Sequence, residues 1–240
     1  MPDVDLSGSP SDDVTTTPLR GYLARPSGDG PWPGVVMIHE VYGLDDIMRR
    51  QAERLASAGF LTLALDLYSD GGARRCLISI MRASLKGEGK PFGDIERGRA
   101  WLAESSECSG KIGLIGFCMG GNFALLSATA GFDAVAANYG QVPRHAESVF
   151  DGACPIVASY GRHDWTLRGA ATKLEQALKR AGVVHDVKEY PDAGHSFLND
   201  ADAGPRVLQP LQRVLGVKPE PASAADAWRR IDAFFHGHLD

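Results

Sequence analysis

The stretch Ile112-Gly113-Leu114-Ile115-Gly116-Phe117-Cys118-Met119-Gly120-Gly121 decides how the rest of the chain is interpreted. The apolar run 112–115 is typical of a buried strand, and the strongly apolar residues 119–130 predict a helix packed against a sheet. A Gly-x-Cys-x-Gly turn joins the two. A Cβ atom at either flanking glycine would collide with strand or helix backbone, which predicts a sharp, strained turn at Cys118.

This strand–turn–helix pattern has the shape of a nucleophile elbow, with cysteine where serine is commoner. Such an elbow lifts the Cys118 sulfur above the sheet, at a helix N-terminus whose dipole favours thiolate over thiol. A lone cysteine is more often a small buried thiol than a nucleophile. The strand, the two glycines and the helix occurring together favour the nucleophile.

Strand and helix signals alternate along the chain, which predicts an α/β fold with a mostly parallel central sheet and helices on both faces. Residues 185–190 suit a strand near the sheet edge, and residues 19–25 suit an antiparallel edge strand. Residues 200–223 contain four prolines and predict either a lid or a long surface loop. The other predicted strands are residues 35–38, 60–65, 112–115, 134–137 and 155–160, and the predicted helices are residues 46–58, 92–104, 119–130, 167–181 and 224–236.

Length and composition predict one globular domain over residues 15–240, preceded by a polar, flexible segment at 1–14. The chain has 240 residues, of which 44% are hydrophobic and 23% charged. Its net charge of -5 argues against nucleic acid or an anionic membrane as a partner. We see no signal peptide and no apolar run of the roughly 18 residues that suggest a membrane span.

The four cysteines form no CxxC pair, which argues against a zinc site or any other metal site. We expect free thiols in a reduced, cytoplasmic protein.

A cysteine nucleophile needs a base and a group that orients the base, and an elbow fold supplies them in the order nucleophile, acid, histidine. Asp164 and His195 follow Cys118 in that order, each just after a predicted strand. Strand C-termini form the edge of an open α/β sheet that carries the site. His163 is an alternative base, but it directly neighbours Asp164 and fits the strand end less well.

With these residues identified, the chain from about Leu19 onward resembles the dienelactone hydrolase family, the carboxymethylenebutenolidases. The resemblance rests on His39-Glu40-Val41-Tyr42-Gly43-Leu44, Asp66-Leu67-Tyr68, Gly116-Phe117-Cys118-Met119-Gly120-Gly121, Tyr139-Gly140, Gly161-x-x-Asp164 and Ala193-Gly194-His195-Ser196-Phe197. It implies an α/β-hydrolase fold and a Cys-His-Asp triad that needs no metal or organic cofactor.

The resemblance also implies a catalytic role for Glu40, because the matching family glutamate approaches the cysteine and shifts on substrate binding to release the thiolate. A buried carboxylate beside a thiol can accept its proton. The alternative for Glu40 is an ordinary surface carboxylate. The elbow itself makes the backbone N–H of Met119 one oxyanion donor, and the N–H of Val41 is the expected second donor.

The chain differs from the family pattern at the residues that bind the substrate. Family members that act on dienelactone hold its carboxylate with two arginines, and Asn199 stands where one of these is expected. The other belongs to the segment after Tyr68, which is rearranged here. The candidate substrate-binding residues are therefore Asn199 itself, the arginines that could substitute and the aromatic residues in the matching motifs. The arginines are Arg74, Arg75, Arg82 and Arg206, and the aromatic residues are Tyr42, Tyr139 and Phe197.

The sequence therefore predicts a hydrolase that cleaves a small ester or lactone through Cys118, Asp164 and His195 and a thioester acyl-enzyme. We expect a monomer or a small homo-oligomer whose partner is this small-molecule substrate. Three alternatives stay open, one of which is a noncatalytic α/β scaffold that acts through protein contacts. A general carboxylesterase or thioesterase would use the same triad, and Asn199 favours it over strict dienelactone use. A thiol sensor or ligand-binding protein would oxidise or bind at Cys118 without turnover.

Overall fold

The computed structural model describes residues 3–7 and 17–240. Its strands are β1 (Asp3–Asp5), β2 (Arg20–Ala24), β3 (Trp32–Ile38), β4 (Leu61–Asp66), β5 (Cys108–Phe117), β6 (Ala134–Asn138), β7 (Ile156–Gly161) and β8 (His185–Tyr190). Its helices are α1 (Asp46–Ser57), α2 (Ala73–Lys86), α3 (Lys90–Glu104), α4 (Met119–Leu126), α5 (Ala146–Val149), α6 (Ala170–Ala181), α7 (Gln209–Val214) and α8 (Pro221–Leu239). In this part of the chain, no helix combines the length and the apolar composition that a bilayer crossing requires.

The strands form one eight-stranded sheet in the order β1-β2-β4-β3-β5-β6-β7-β8. Strands β3 to β8 pair in parallel, whereas β1 and β2 are antiparallel to their neighbours. Strand β8 lies at one edge, where its alternating sequence places it. The predicted α/β-hydrolase fold, a mostly parallel sheet with helices on both faces, is confirmed.

Two hydrophobic layers hold the helices to the sheet, because successive residues of each buried strand point to opposite faces. Leu114 of β5 belongs to the layer that holds α2, α3, α4 and α6 on one face. Ile115, the next residue, packs with α1 and α8 on the other. Helix α8 covers the middle of that face with the buried side chains of Trp228, Ile231 and Phe235.

The N-terminal residues differ in part from the flexible segment predicted for 1–14. Residues Asp3–Asp5 extend the sheet as β1, pairing with β2, and Leu6 is buried. Strand β2 is antiparallel as predicted, but β1 covers its outer side, so β2 is not the edge strand. Apolar Leu6 supplies the burial that fixes this segment. Residues 8–14 lie outside the described part of the chain.

Helix α2 is the largest element that the sequence did not predict. Its apolar residues cover a wide arc of the helix: Cys76, Ile80 and Ala83 are buried, while Ile78 and Leu85 are exposed. An apolar arc this wide differs from the narrower stripe, facing only the core, by which surface helices are recognised. Helix α2 also begins at Gly72 without a side-chain cap, so the usual start signal is absent.

Strand register brings the predicted site residues to one edge of the sheet. Ile38, near the end of β3, pairs with Gly116 of β5, and Phe117 pairs with Asn138 at the end of β6. The loops that follow these parallel strands therefore leave the sheet side by side. This carboxyl edge is where open α/β sheets carry their sites.

Packing of α8 on the sheet predicts a large loss of stability when Ile231 is shortened. Ile231 is fully buried, so Ile231→Ala removes buried methyl groups and leaves a cavity that costs about 2–5 kcal/mol of unfolding free energy. The matched control is Ile78→Ala on α2, where the side chain is 65% exposed and we expect a change within about 0.5 kcal/mol. Urea unfolding of both variants measures the difference. Equal losses at the two positions would contradict the packing of α8.

Candidate active site

Cys118 lies in the sharp turn between β5 and α4, with left-handed backbone angles of φ 55° and ψ −114°. A Cβ atom on Gly116 would lie 2.0 Å from the Gly120 carbonyl oxygen, and one on Gly120 would lie 2.3 Å from the Ile38 carbonyl oxygen. Both glycines are therefore required by backbone crowding, as the sequence predicted. The turn presents the half-buried Cys118 thiol at the N-terminal end of α4.

The sulfur of Cys118 begins a hydrogen-bonded chain through His195 to Asp164. His195 Nε2 lies 3.0 Å from Cys118 Sγ, and His195 Nδ1 lies 2.5 Å from Asp164 Oδ2. The chain order nucleophile, acid, histidine therefore brings together the three residues that the sequence singled out. His163 is exposed and takes no part in this chain of contacts.

Asp164 is held in place from both sides of its carboxylate. Its Oδ1 accepts hydrogen bonds from the backbone N–H and the hydroxyl of Thr166, which leaves Oδ2 for His195. Burial opposes the charge on Asp164, but these hydrogen bonds outweigh it and lower the pKa of the carboxyl. The negative charge therefore persists at a site that is only 2% exposed.

The pKa of His195 depends on the two groups that its ring contacts. Burial lowers the pKa of its imidazole, yet the neighbouring Cys118 sulfur and the Asp164 hydrogen bond outweigh burial and raise that pKa well above its ordinary value. The contacts on either side of the ring therefore favour its protonated form. This arrangement suits a thiolate–imidazolium pair.

The loop that carries His195 is braced by residues 217–220. Val217 forms a parallel bridge with His195, and the N–H groups of Lys218 and Glu220 donate to the carbonyls of His195 and Phe197. Gly194 approaches so closely that a Cβ atom would lie 1.9 Å from the Gly216 carbonyl oxygen. The segment 200–223 thus leaves the sheet, forms α7 and returns to fix the histidine loop. It is neither a simple lid nor a free surface loop.

Glu40 follows β3 and is buried beside the triad, with 3% of its surface exposed. Its Oε2 accepts a hydrogen bond from Asn199 Nδ2 at 3.2 Å, and its Oε1 has no hydrogen-bond partner among the described residues. Burial raises the pKa of the Glu40 carboxyl, although the nearby His195 opposes the shift. Glu40 is therefore not the exposed surface carboxylate that the sequence allowed as an alternative.

The two backbone N–H groups considered for an oxyanion hole lie on either side of Cys118. Met119 is the first residue of α4, so its N–H precedes the intrahelical hydrogen bonds. Val41 lies in the turn after β3, where its carbonyl accepts a hydrogen bond from the Tyr68 hydroxyl at 2.7 Å. Both residues line the cavity that opens at Cys118.

This cavity has a volume of about 350 Å³ and reaches Cys118, His195 and Tyr139. The other candidate substrate-binding residues lie elsewhere. Phe197 packs in the core against Tyr139, and Asn199 binds Glu40. Tyr42 packs at Gly204 and hydrogen bonds to Gln212. Arg82 lines a separate cavity between α2 and α3. The other three arginines are exposed and do not line the active-site cavity: Arg74, Arg75 and Arg206.

Three parts of the site were not found from the sequence. Thr166 orients Asp164, residues 217–220 brace the histidine loop, and Met81 and Leu85 bring α2 to the cavity. A Thr two residues after the acid is a usable signal, because Asp side chains often accept from the backbone N–H two residues on. The other two depend on tertiary contacts that no local pattern records.

Comparison with known proteins agrees with this fold. A carboxymethylenebutenolidase of Rhodococcus opacus is 29% identical over 237 residues, which cover 91% of this chain and 86% of the relative. A dienelactone hydrolase-like promiscuous phosphotriesterase from metagenomic libraries superposes with a TM-score of 0.77 at 21% identity, covering 99% of this chain and 98% of the other. A dienelactone hydrolase of Anabaena variabilis gives a TM-score of 0.66 at 21% identity, with 99% and 97% covered.

The match to the family covers most of the chain. A sequence model described as the dienelactone hydrolase family matches residues 19–239. That range contains the elbow, Glu40, Asp164 and the braced histidine loop. The resemblance first drawn from the short motifs is thereby confirmed, and this chain belongs to the dienelactone hydrolase family.

Proposed function

We propose that this protein hydrolyses small esters or lactones with Cys118 as nucleophile, His195 as acid and base, and Asp164 as the group that orients His195. The observation that carries the proposal is the continuous chain from Cys118 Sγ through His195 to Asp164 at the strained elbow. A thiol sensor needs no such oriented histidine. Membership of the dienelactone hydrolase family and the names of the relatives support the same reaction class.

Acylation starts from the thiolate–imidazolium pair, in which the proton of Cys118 has passed to His195. The thiolate attacks the carbonyl carbon, and a carbon–sulfur bond forms as the carbonyl oxygen becomes an oxyanion. The N–H groups of Met119 and Val41 donate to that oxyanion. Collapse breaks the carbon–oxygen bond, and the leaving alkoxide takes the proton from His195. In a lactone the alcohol stays tethered to the acyl group.

Deacylation uses the neutral His195 that acylation leaves behind. His195 takes a proton from water, the resulting hydroxide attacks the thioester carbonyl, and the Cys118 thiolate leaves. The imidazolium and thiolate are then restored together. Asp164 keeps the imidazole in the orientation that both half-reactions require, because its Oδ2 holds Nδ1.

Where His195 is neutral at the start, we propose that Glu40 takes the Cys118 proton instead and returns it, in place of His195, to the leaving alkoxide. Its buried carboxylate is a stronger base than an exposed one, because protonation removes a charge from a site that water does not reach. Its hydrogen bond goes to Asn199 rather than to the sulfur, so proton transfer requires the carboxyl to turn away from Asn199. A substrate that enters the cavity beside Cys118 causes that movement.

Removing the thiol tests the nucleophile. We expect Cys118→Ala to lower kcat/KM by at least about 10³-fold on both a dienelactone and a neutral chromogenic ester, since triad nucleophiles contribute at this level. The matched control is Cys108→Ala, which removes another half-buried free thiol, at the opposite end of β5. Mass spectrometry of quenched enzyme should find the acyl group on Cys118. Wild-type rates in Cys118→Ala would rule out this nucleophile.

Neutralising Glu40 should separate stability from activity. The pKa of Glu40 is raised from its ordinary value of 4.5, so folding favours its protonated form, and the free energy of unfolding falls as pH rises above that value. Glutamine mimics the protonated acid. We therefore expect Glu40→Gln to unfold like wild type at acid pH, to be more stable at neutral pH, and to lose about 10²-fold in kcat/KM.

Denaturant unfolding across pH measures this difference. Asp29→Asn is a suitable control, because the side chain lies in an exposed turn before β3, at the end of that strand opposite to Glu40. A stability difference between Glu40→Gln and wild type that stays constant with pH would contradict the buried, proton-binding carboxyl.

A further inference from the structure

Apart from Cys118 and His195, the active-site cavity has a largely apolar wall. Its apolar side includes Val41, Met81, Leu85, Met119 and Leu167. Among the described residues, no lysine, arginine, aspartate or glutamate lines it. Its ionisable members are Cys118, His195 and Tyr139, and the first two already contact one another.

Among the polar side chains of the lining, Ser84, Asn122 and Thr166 already form hydrogen bonds within the protein. Asn122 Nδ2 donates to the backbone carbonyl of Ser84 at 2.8 Å and to its hydroxyl at 2.5 Å. The Thr166 hydroxyl donates to Asp164. These groups have limited capacity left to solvate a charged substrate, and burying an unpaired carboxylate among them would be costly.

The Asn122–Ser84 contact also fixes the part of α2 that faces the cavity. Met81 and Leu85 lie on either side of Ser84, one helical turn apart, and are 39% and 68% exposed. Such exposed apolar side chains at a cavity rim are the surface that an apolar substrate would cover. The acyl group is the part of the substrate that stays bonded to Cys118 through deacylation, so it is the part that this wall holds longest.

We propose that the preferred substrates are uncharged esters with an apolar acyl chain, and that Met81 and Leu85 of α2 contact this chain and select it. This inference rests on the proposed triad chemistry and narrows its substrate class. It differs from recognition of an anionic lactone, because the cations Lys86 and Arg144 line the adjoining cavity, on the far side of Leu85 and Asn122, and not this one.

A pair of para-nitrophenyl esters tests the charge preference directly. Hexanoyl and glutaryl esters have acyl chains of similar length, but the glutaryl chain ends in a carboxylate. We expect wild-type kcat/KM to rise from acetyl to hexanoyl, and to be at least about 10-fold higher for hexanoyl than for glutaryl, within the range that apolar pockets discriminate. A wild-type preference for the glutaryl ester, or equal rates, would overturn the proposal.

A charge placed on α2 should change that ratio. We expect Leu85→Lys to reduce the hexanoyl-to-glutaryl ratio by at least about 5-fold, because it adds a cation at the cavity wall. The matched control is Ile78→Lys, at a 65% exposed position of the same helix outside the lining, where the ratio should stay at the wild-type value. Equal ratios in the two variants would remove α2 from substrate selection.

A wrong triad assignment would give a different experimental result from a wrong substrate class. If Cys118→Ala retained hydrolysis of both esters, the proposed function would be wrong whatever the ratio. If Cys118→Ala lost both activities and wild type preferred the glutaryl ester, only the substrate class would be wrong.

A second, independent observation concerns His39, which is fully buried directly before Glu40. Its Nε2 lies 3.1 Å from the backbone N–H nitrogen of Leu67, and its Nδ1 lies 2.6 Å from the Glu40 carbonyl oxygen. The Leu67 amide can only donate, so Nε2 is the acceptor and Nδ1 carries the hydrogen that bonds to Glu40. Burial lowers the pKa of His39, in keeping with a neutral ring.

The Glu40 carbonyl and the Val41 N–H belong to one planar peptide group and point in opposite directions. The carbonyl is held by His39 and by the Gly43 N–H at 3.1 Å, so the direction of the Val41 N–H is set as well. We infer that His39 is a positioning residue for the oxyanion hole. It acts through the Glu40–Val41 peptide and does not touch the substrate.

Two substitutions separate positioning from simple stability. Asparagine places its amide near the Nδ1 position and can keep the donor to Glu40, whereas glutamine places its amide near Nε2 and keeps the contact with Leu67. We expect His39→Gln to lower kcat by about 10-fold or more with little change in KM, since oxyanion donors act in the transition state. We expect His39→Asn to retain more of kcat. Equal losses that followed thermal stability, or no loss in kcat, would refute the positioning role.

Discussion

The backbone at Cys118 is held in the left-handed region because β5 must turn into α4 within a single residue. The surrounding backbone enforces this turn, since Gly116, Gly120 and the end of β3 approach within distances that leave no space for a side chain. A non-glycine residue in such a conformation is strained, and it persists only when the packing around it permits no alternative. The sheet and helix therefore determine the place of the sulfur, and every other group of the site is arranged around that point.

Burial gives the site its unusual protonation states and also makes it costly to fold. Glu40 Oε1, Asn199 Oδ1 and the Tyr139 hydroxyl are buried without hydrogen-bond partners among the described residues. A purely structural core rarely keeps such groups together. Their concentration beside Cys118 is expected where a protein gives up stability for chemistry. The same burial raises the pKa of Glu40 and that of Tyr139.

The sequence predicted those parts of the molecule that are determined by interactions between residues close together in the chain. Gly-x-Cys-x-Gly specifies the elbow because steric crowding acts within a few residues. Asp164 follows a strand with a plain apolar run, and His195 follows a strand with a plain alternating pattern. Helix α2 was missed because its apolar residues face two environments, the core and the cavity. The hydrogen bond between Asn199 and Glu40 could not be predicted either, because the two residues lie far apart in the sequence and meet only in the folded chain.

The bracing of the histidine loop has a consequence for the order in which the protein matures. Residues 217–220 must pair with the loop of His195 before the imidazole is fixed, and these residues lead directly into α8. A chain emerging from the ribosome presents the elbow and Asp164 long before this brace is available. The contact between Cys118 and His195 therefore becomes fixed only late in synthesis, when α8 can dock on the sheet. Hydrolytic competence thus reports that the C-terminal part of the domain has folded.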